Sequence, residues 1–188
     1  MNRPTEEDLQ LVHRLRRQNV LEDVASHKIN GNGRNVVIMC SDGHQSPDVI
    51  TSHSRFLQHN GDGECCCHSH MLNGGALLLS PMFTETMKLP VREVLLHQIK
   101  QSLSLKDINT VALYVHAPCG AAGLRKLSFI DTLVCLFDAK FSLKCHFFRF
   151  KKLHVSCFVQ IDYGPKKRTY FISRSKWESW IRDPSYCM

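Results

Sequence analysis

The chain has 188 residues, a formal net charge of +7 and nine cysteines. This length allows one sizeable hydrophobic core and is too short for two ordinary domains. An odd cysteine count, three adjacent cysteines and a highly charged start argue against a disulfide-bonded secreted protein, and no apolar run is long enough for a membrane span. We therefore expect one soluble, cytoplasmic domain over residues 1–188, with an N-terminal helical arm at 1–30, a core at 31–188 and no structural disulfide.

Hydrophobic periodicity and capping residues predict alternating helices and strands in the first half of the chain. Thr5 is a suitable N-cap, because acidic residues fill the opening turn that would follow it. Pro47 suits the first position of a helix that follows a β-rich run. The elements expected here are a helix capped by Thr5 and reaching Val24 with a break near Gln18, a strand over 35–39, a helix from Ser46 to about Leu57 and a short strand over 76–79.

The second half of the chain continues the alternation. Its continuous apolar run over 110–115 is typical of a parallel strand that is buried on both faces. The elements expected here are a helix over 91–103, a strand over 110–115, a helical stretch over 121–137, a strand pair over 155–162 and 169–172 and a terminal helix near Trp177 and Trp180. The β-α-β order predicts an α/β fold in which helices flank a mainly parallel central sheet.

Two turns carry metal-binding side chains, and each turn directly follows a predicted strand. Cys40, Asp42 and His44 lie in the first turn, and His116 and Cys119 lie in the second. Because the carboxyl ends of parallel strands meet at one edge of a sheet, we expect the two cysteines and His116 to converge. Such a Cys-His-Cys set would hold a tetrahedral zinc ion and leave its fourth position for water.

The Cys-x-Asp turn at Cys40 and the His-x-x-Cys-Gly turn at His116 resemble the zinc motifs of the β-class carbonic anhydrases. The N-terminal helical region, the Asn-Gly-Gly turn at 73–75 and the strand end at 161–164 resemble less specific parts of that family. The resemblance implies a β-carbonic-anhydrase-like fold, with zinc held by Cys40, His116 and Cys119 in a catalytic core. It also implies reversible hydration of carbon dioxide to bicarbonate by zinc-bound hydroxide, in a homodimer or a higher homo-oligomer.

One position departs from the motif of the family. The family has Cys-x-Asp-x-Arg, and here His44 stands at the Arg position. The resemblance gives Asp42 the hydrogen bond from the zinc-bound hydroxide, and His44 is a candidate proton carrier because its charge changes near neutral pH. Without an orienting Arg, Asp42 could also bind the zinc and close the site. The alternatives to a carbonic anhydrase are therefore an inactive zinc protein that acts as a binding module, or a hydrolase of carbonyl sulfide or carbon disulfide.

The segment at 65–70 reads Cys-Cys-Cys-His-Ser-His and has the most unusual composition in the chain. Structural zinc sites space their ligands by two to four residues, and consecutive cysteines do not easily reach one ion, so a complete second metal site is disfavoured. A reactive loop or a buried strand fits the segment better. If it is a strand that leads to the turn at 73–75, alternate residues would line the active cleft, and His68 or His70 could approach the zinc.

Basic residues concentrate late in the chain, at 144–152 and 166–171, where they interleave with aromatic residues. Some nucleic-acid surfaces have this composition. No recognisable nucleic-acid module accompanies it, and a solvated face with an alternating strand is the favoured interpretation. We therefore expect neither a nucleic acid nor a membrane as partner. The small molecules that the family resemblance implies are carbon dioxide and bicarbonate.

Overall fold

The computed structural model describes residues 3–25, 29, 34–58, 66–149 and 152–183, with the side chain of Cys66 left out. The helices are α1 (Glu6–Arg17), α2 (Ser46–Gln58), α3 (Pro81–Thr84), α4 (Val91–Leu105), α5 (Gly120–Leu124), α6 (Phe129–His146) and α7 (Arg174–Ile181), and a 3-10 helix spans Gly75–Leu79. The strands are β1 (Leu21–Asp23), β2 (Arg34–Met39), β3 (Cys66–Met71), β4 (Thr110–Ala117), β5 (His154–Asp162) and β6 (Lys167–Ile172).

The strands form one six-stranded mixed sheet in the order β1-β6-β5-β4-β2-β3. The four strands β3, β2, β4 and β5 run parallel, and β6 and β1 are added antiparallel at one end. The next strand in the chain, β3, pairs with one side of β2, and the strand after that, β4, pairs with the other side of β2. The carboxyl ends of β2 and β4 therefore lie at a topological switch point, where open α/β sheets leave a crevice. The predicted α/β class with a mainly parallel, helix-flanked sheet is confirmed.

Alternate residues of β4 pack into two different layers. Val111, Leu113 and Val115 face the layer that contains α4, α6 and the 3-10 helix. Ala112 and Tyr114 face the layer that contains α2. All eight residues of β4 are buried, which agrees with the continuous apolar run that predicted the strand. Because both faces of β4 are packed, its register in the sheet is fixed. The position of the turn that follows β4 is therefore fixed as well.

Two helices begin with capping boxes. The Thr5 hydroxyl accepts a hydrogen bond from the Asp8 N–H, and the Asp8 carboxylate accepts one from the Thr5 N–H. Ser128 and Asp131 form the same pair at the start of α6. Each box satisfies two backbone groups at a helix end, and caps of this kind typically stabilise a helix by about 1 kcal/mol. The prediction that Thr5 caps the first helix is confirmed.

The first helix is shorter than predicted. It ends at Arg17, and Asn19 with φ of +55° turns the chain, so that Leu21–Asp23 pair with β6 as an antiparallel strand. Asparagine tolerates this left-handed conformation better than most residues. The described part of the predicted helical arm at 1–30 is therefore a helix followed by an edge strand.

Two other predicted elements also differ. Residues 76–79 belong to a 3-10 helix and not to a strand, because Gly74 and Gly75 both have positive φ and turn the chain before the apolar run. The helical stretch predicted over 121–137 is split into α5 and α6, since the Ser128 cap starts a new helix. The late strand pair and the terminal helix lie where they were predicted.

Among the described helices, none combines the length and the apolar character needed to cross a membrane. Each cysteine whose side chain is described is a free thiol.

Candidate metal centre

Cys40 is the first residue after β2, and the loop after β3 holds its turn in place. The Ser41 N–H donates a hydrogen bond to the Leu72 carbonyl at 3.2 Å. The Ser41 hydroxyl donates to Asn73 Oδ1 at 2.8 Å, and the Gly74 N–H donates to Cys40 Sγ at 3.4 Å. The Cys40 side chain therefore has a fixed direction and a hydrogen bond to its sulfur.

Gly75 is the closest packing contact of this turn. It has φ of +52°, and a Cβ at this position would lie 2.3 Å from the Cys40 nitrogen and 2.4 Å from the Met39 carbonyl carbon. Backbone atoms cannot move aside as a flexible side chain can, and a positive φ strains most other residues. Only glycine fits this contact, so the Asn-Gly-Gly turn contributes directly to the position of Cys40.

His116 and Cys119 come from the end of the neighbouring strand. His116 is the penultimate residue of β4, and Cys119 is the N-cap residue of α5. His116 is 4% exposed, and the two cysteines are half-buried. The Sγ atom of Cys40, a ring nitrogen of His116 and the Sγ atom of Cys119 lie within 4.8 Å of one another. The structure thus brings together the three predicted metal ligands.

The surroundings of His116 fit a metal ion. Both of its ring nitrogens are buried, and neither has a hydrogen-bond partner in the described part of the chain. An unsatisfied buried polar group costs about 1–3 kcal/mol, and coordination of an ion by one nitrogen would remove part of that cost. Two sulfurs and one imidazole form a donor set for soft or borderline metal ions. The cluster could therefore hold a metal ion.

The two thiols of the cluster differ in acidity. A hydrogen bond from the Cys119 thiol lowers the pKa of Cys40 to about 4; burial opposes this effect, and the nearby His116 ring and the Gly74 N–H add to it. The same contact with Cys40, together with burial, raises the pKa of Cys119 well above its ordinary range. The contact thus favours the thiolate at Cys40 and the thiol at Cys119, and a metal ion that bound both sulfurs would release the thiol proton.

Asp42 and His44 lie beside the cluster and not in it. Asp42 Oδ1 accepts a hydrogen bond of 2.9 Å from the His44 N–H, which closes a tight turn, and the His44 side chain is exposed. The Asp42 carboxylate is not part of the group of ligand atoms found among the described residues. Both residues line a cavity of about 520 Å³ that His116 and Cys119 also line.

Two residues that sequence reasoning missed connect the Cys40 turn to the β5–β6 hairpin. The buried Gln45 donates from Nε2 to Asp162 Oδ2 at 2.9 Å. Lys167 donates from Nζ to the His44 carbonyl and forms an ion pair of 2.9 Å with Asp48. Lys167 therefore places a cation next to the turn that lacks the Arg. The sequence holds no local signal for either contact, because the partners of each bond are more than 100 residues apart.

From residue 66 onward the Cys/His-rich segment forms strand β3 before the turn at 73–75. The predicted strand is therefore present, but its described side chains are half-buried or exposed and not buried as predicted. The His70 ring contacts the Ser102 hydroxyl of α4 at 3.0 Å, and the Cys67 sulfur lies 3.7 Å from the Ser54 hydroxyl of α2. Neither His68 nor His70 belongs to the group of ligand atoms or lines the cavity beside it, and the His70 ring is directed to α4. Cys65 lies outside the described residues.

No protein-family model matches this chain, and no curated protein sequence matches it significantly. The Cys-His-Cys cluster by itself does not identify a carbonic anhydrase, so the resemblance to that family stays a prediction from the sequence.

Proposed function

We propose that this protein is a zinc-dependent lyase of the carbonic anhydrase type, with a β-carbonic-anhydrase-like fold, and that it hydrates carbon dioxide reversibly to bicarbonate. The observation that carries the proposal is the convergence of Cys40, His116 and Cys119 within 4.8 Å at the switch point of the sheet. Three protein ligands leave one position of a tetrahedral zinc site for a reacting molecule, which is the arrangement of catalytic zinc sites.

When bound, zinc supplies a Lewis acid that lowers the pKa of a coordinated water to roughly 7. The sulfurs of Cys40 and Cys119 would balance the charge of the ion, and the hydrogen bond from the Gly74 N–H would withdraw electron density from Cys40 Sγ. The burial of His116 keeps bulk water away from its ring. These residues would hold the zinc ion and influence how far it lowers the pKa of a coordinated water, without themselves reacting.

Asp42 is the best candidate to accept a proton or a hydrogen bond in the cavity. The His44 N–H donates a hydrogen bond to Oδ1 of its carboxylate, and Oδ2 could accept one from a reacting water. His44 is exposed at the same wall, so its imidazole can exchange protons with solvent. A rotation of Asp42 onto the ligand cluster would break its hydrogen bond to His44, and this favours an open site over a closed Cys-Asp-His-Cys site.

The test combines metal analysis with stopped-flow measurement of carbon dioxide hydration. We expect about one zinc per chain and hydration faster than the buffer background. Cys145→Ser is a control for thiol loss, because Cys145 is exposed and lies outside the cluster. The proposal would be rejected if fully zinc-loaded protein hydrated carbon dioxide no faster than the buffer background from neutral to alkaline pH.

Carbonyl sulfide, assayed in parallel as a substrate, would reveal the related hydrolase. Light scattering would test the homodimer that the family resemblance implies.

A further inference from the structure

His116 and Gln160 are direct neighbours in the sheet, one on β4 and the other on β5. Two residues earlier in both strands, the rings of Tyr114 and Phe158 are also neighbours, and they stack with their centroids 4.7 Å apart on the face that packs against α2. Adjacent strands lie about 4.8 Å apart, and residues two positions apart in a strand point to the same face. The side chains of His116 and Gln160 therefore leave the sheet side by side.

This pair contains three buried polar atoms without a hydrogen-bond partner in the described part of the chain. They are both ring nitrogens of His116 and the Oε1 atom of Gln160. Gln160 is 2% exposed, and although it borders a cavity of about 620 Å³, its Oε1 atom is itself buried. Buried polar groups in proteins are normally hydrogen-bonded, and one that solvent does not reach needs a partner from the interior.

A metal ion in the Cys-His-Cys cluster would satisfy only one ring nitrogen of His116. A neutral imidazole carries one ring proton, so the nitrogen that does not bind the metal is an N–H donor. Metal-binding histidines almost always donate this N–H to an acceptor, which fixes the tautomer and the orientation of the ring. Gln160 Oε1 is an acceptor of the required kind on the adjacent strand.

Gln45 is the other described amide side chain whose Oε1 atom is buried without a partner. Its Nε2 atom is already bound to Asp162 Oδ2, and the residue lies in the turn that follows Cys40 and not in a strand. Gln160, in contrast, is held beside His116 by the continuous pairing of β4 with β5. The sheet therefore favours Gln160 over Gln45 as the partner of His116.

We propose that Gln160 is a positioning residue of the metal centre, whose Oε1 atom accepts a hydrogen bond from the ring N–H of His116 in the metal-loaded protein. This bond gives partners to the atoms that the metal-free fold leaves without one. It also holds the imidazole so that its other nitrogen faces the sulfurs of Cys40 and Cys119. The inference rests on the metal site of the proposed function and not on the hydration of carbon dioxide.

The test is the zinc affinity of the full chain, measured by competition with a chelator in two variants with side chains of similar length. Gln160→Met removes the acceptor, and Gln160→Glu keeps one. We expect Gln160→Met to weaken zinc binding about 10–100-fold, the usual cost of losing such a partner, and Gln160→Glu to bind zinc more tightly than Gln160→Met. A role in packing alone predicts the reverse order, because methionine fills the space of glutamine and a buried carboxylate is costly.

Two further measurements separate a lost hydrogen bond from general damage to the fold. In urea unfolding of the metal-free protein, Gln160→Met should be at least as stable as the wild type, because the change removes a buried acceptor that has no partner there. In NMR spectra of the zinc-loaded protein, the His116 ring N–H proton should resonate further upfield in Gln160→Met than in the wild type, because a hydrogen bond deshields the proton.

Equal zinc affinities of the wild type and Gln160→Met, or tighter binding by Gln160→Met than by Gln160→Glu, would overturn the inference. A loss of affinity in Gln45→Met that is absent from Gln160→Met would identify Gln45 as the partner and overturn it as well. Zinc-loaded protein whose affinity depends on Gln160 but which does not hydrate carbon dioxide would reject only the proposed function. An active protein whose zinc affinity is unchanged in Gln160→Met would reject only the inference, and a chain that binds no zinc at the cluster would reject both.

Discussion

Two regions of this chain are rich in metal-binding side chains, and among the described residues only one of them assembles a candidate metal site. In strand β3 the ligand-type residues are neighbours in sequence, yet Cys67 contacts α2 and His70 contacts α4 on the opposite face of the sheet. Cys40 and His116 are 76 positions apart, yet their strands are adjacent and their side chains converge. Successive residues of a strand point to opposite faces, whereas the ends of parallel strands share one edge. The position of a residue in the sheet therefore matters more than the local density of ligands.

The two histidines in these regions also differ in how their ring nitrogens are satisfied. His70 has the Ser102 hydroxyl as a partner, and burial together with the nearby His68 lowers its pKa. His116 has two buried nitrogens without a partner in the described structure. A histidine that is already hydrogen-bonded in its neutral form gains little from a metal ion, and one without a partner gains more.

Removal of a single ligand should produce the largest difference in zinc content and stability between variants of the cluster and variants of β3. Cys40→Ser, His116→Ala and Cys119→Ser should each lower the zinc content and the stability of the zinc-loaded protein, because the ion binds the folded arrangement preferentially. At a free zinc concentration 1,000 times the dissociation constant, the ion stabilises the fold by about 4 kcal/mol. Metal analysis and thermal unfolding with and without a chelator measure both effects.

Cys67→Ser and His70→Ala in β3 are the matched controls and should retain zinc. Zinc retention at the wild-type level in all three ligand variants would show that the cluster is not the metal site.

The chemical types of the ligands made this part of the site predictable from the sequence. Cys40 directly follows β2, and His116 and Cys119 lie at and just after the end of β4. The apolar runs of both strands are visible in the sequence, and the edge of a parallel sheet brings such positions together. The contacts of Gln45 and Lys167 were not predictable, because they depend on where the β5–β6 hairpin meets the Cys40 turn. That meeting is a property of the whole sheet and leaves no local pattern.

The errors in the fold have equally local causes. Leu21 continues the helical periodicity of α1, and nothing in a three-residue strand opposes that pattern. The apolar run at 76–79 fits a strand or a helix equally well, and the positive φ of the glycines at 74 and 75 decides between them. A glycine residue permits a positive φ but does not require one, so the sequence alone did not decide between the two structures.

Gly75→Ala should disturb the Cys40 turn without touching any ligand. The new methyl group would meet the backbone of residues 39 and 40 at less than 2.5 Å. Overpacking of this kind typically costs 1–3 kcal/mol, and the positive φ adds strain, so we expect a loss of about 3 kcal/mol and weaker zinc binding. Chemical denaturation and zinc titration measure these effects. Gly123→Ala is the control, since a Cβ at Gly123 meets nothing within 4 Å; equal losses in both variants would argue against a tight contact at Gly75.

Asp42→Ala should separate catalysis from metal binding. The carboxylate lines the cavity and is not part of the ligand cluster, so its loss should leave the zinc content unchanged. Turnover of carbon dioxide should fall about 10–100-fold, the usual effect of removing a group that orients the reacting water near a metal. Stopped-flow assays on zinc-matched samples test this. Loss of zinc together with activity would instead place Asp42 among the ligands.

His53 is a second buried histidine that can be compared with His116, and its expected effect is the smallest. Its Nδ1 atom contacts the Tyr114 hydroxyl at 2.8 Å and its Nε2 atom has no partner in the described structure, but no thiol cluster surrounds it there. Burial lowers the pKa of His53 from 6.5 to about 4, so the folded protein keeps this ring neutral while the unfolded chain takes up a proton. The stability that His53 contributes is therefore complete above about pH 6.5 and is lost as the pH falls toward 4.

At pH 5 this loss amounts to about 2 kcal/mol relative to pH 7. His53→Gln keeps a polar group near Tyr114 and removes the titration, so urea unfolding at the two pH values should show a smaller loss in this variant than in the wild type. NMR titration of the His53 ring in the wild type measures the same pKa directly, without reliance on the variant. A pKa near 6.5, or equal losses in the two proteins, would show that His53 is not held neutral by burial. Zinc content should be the same in both proteins, because an unpartnered imidazole without converging thiolates does not make a zinc site.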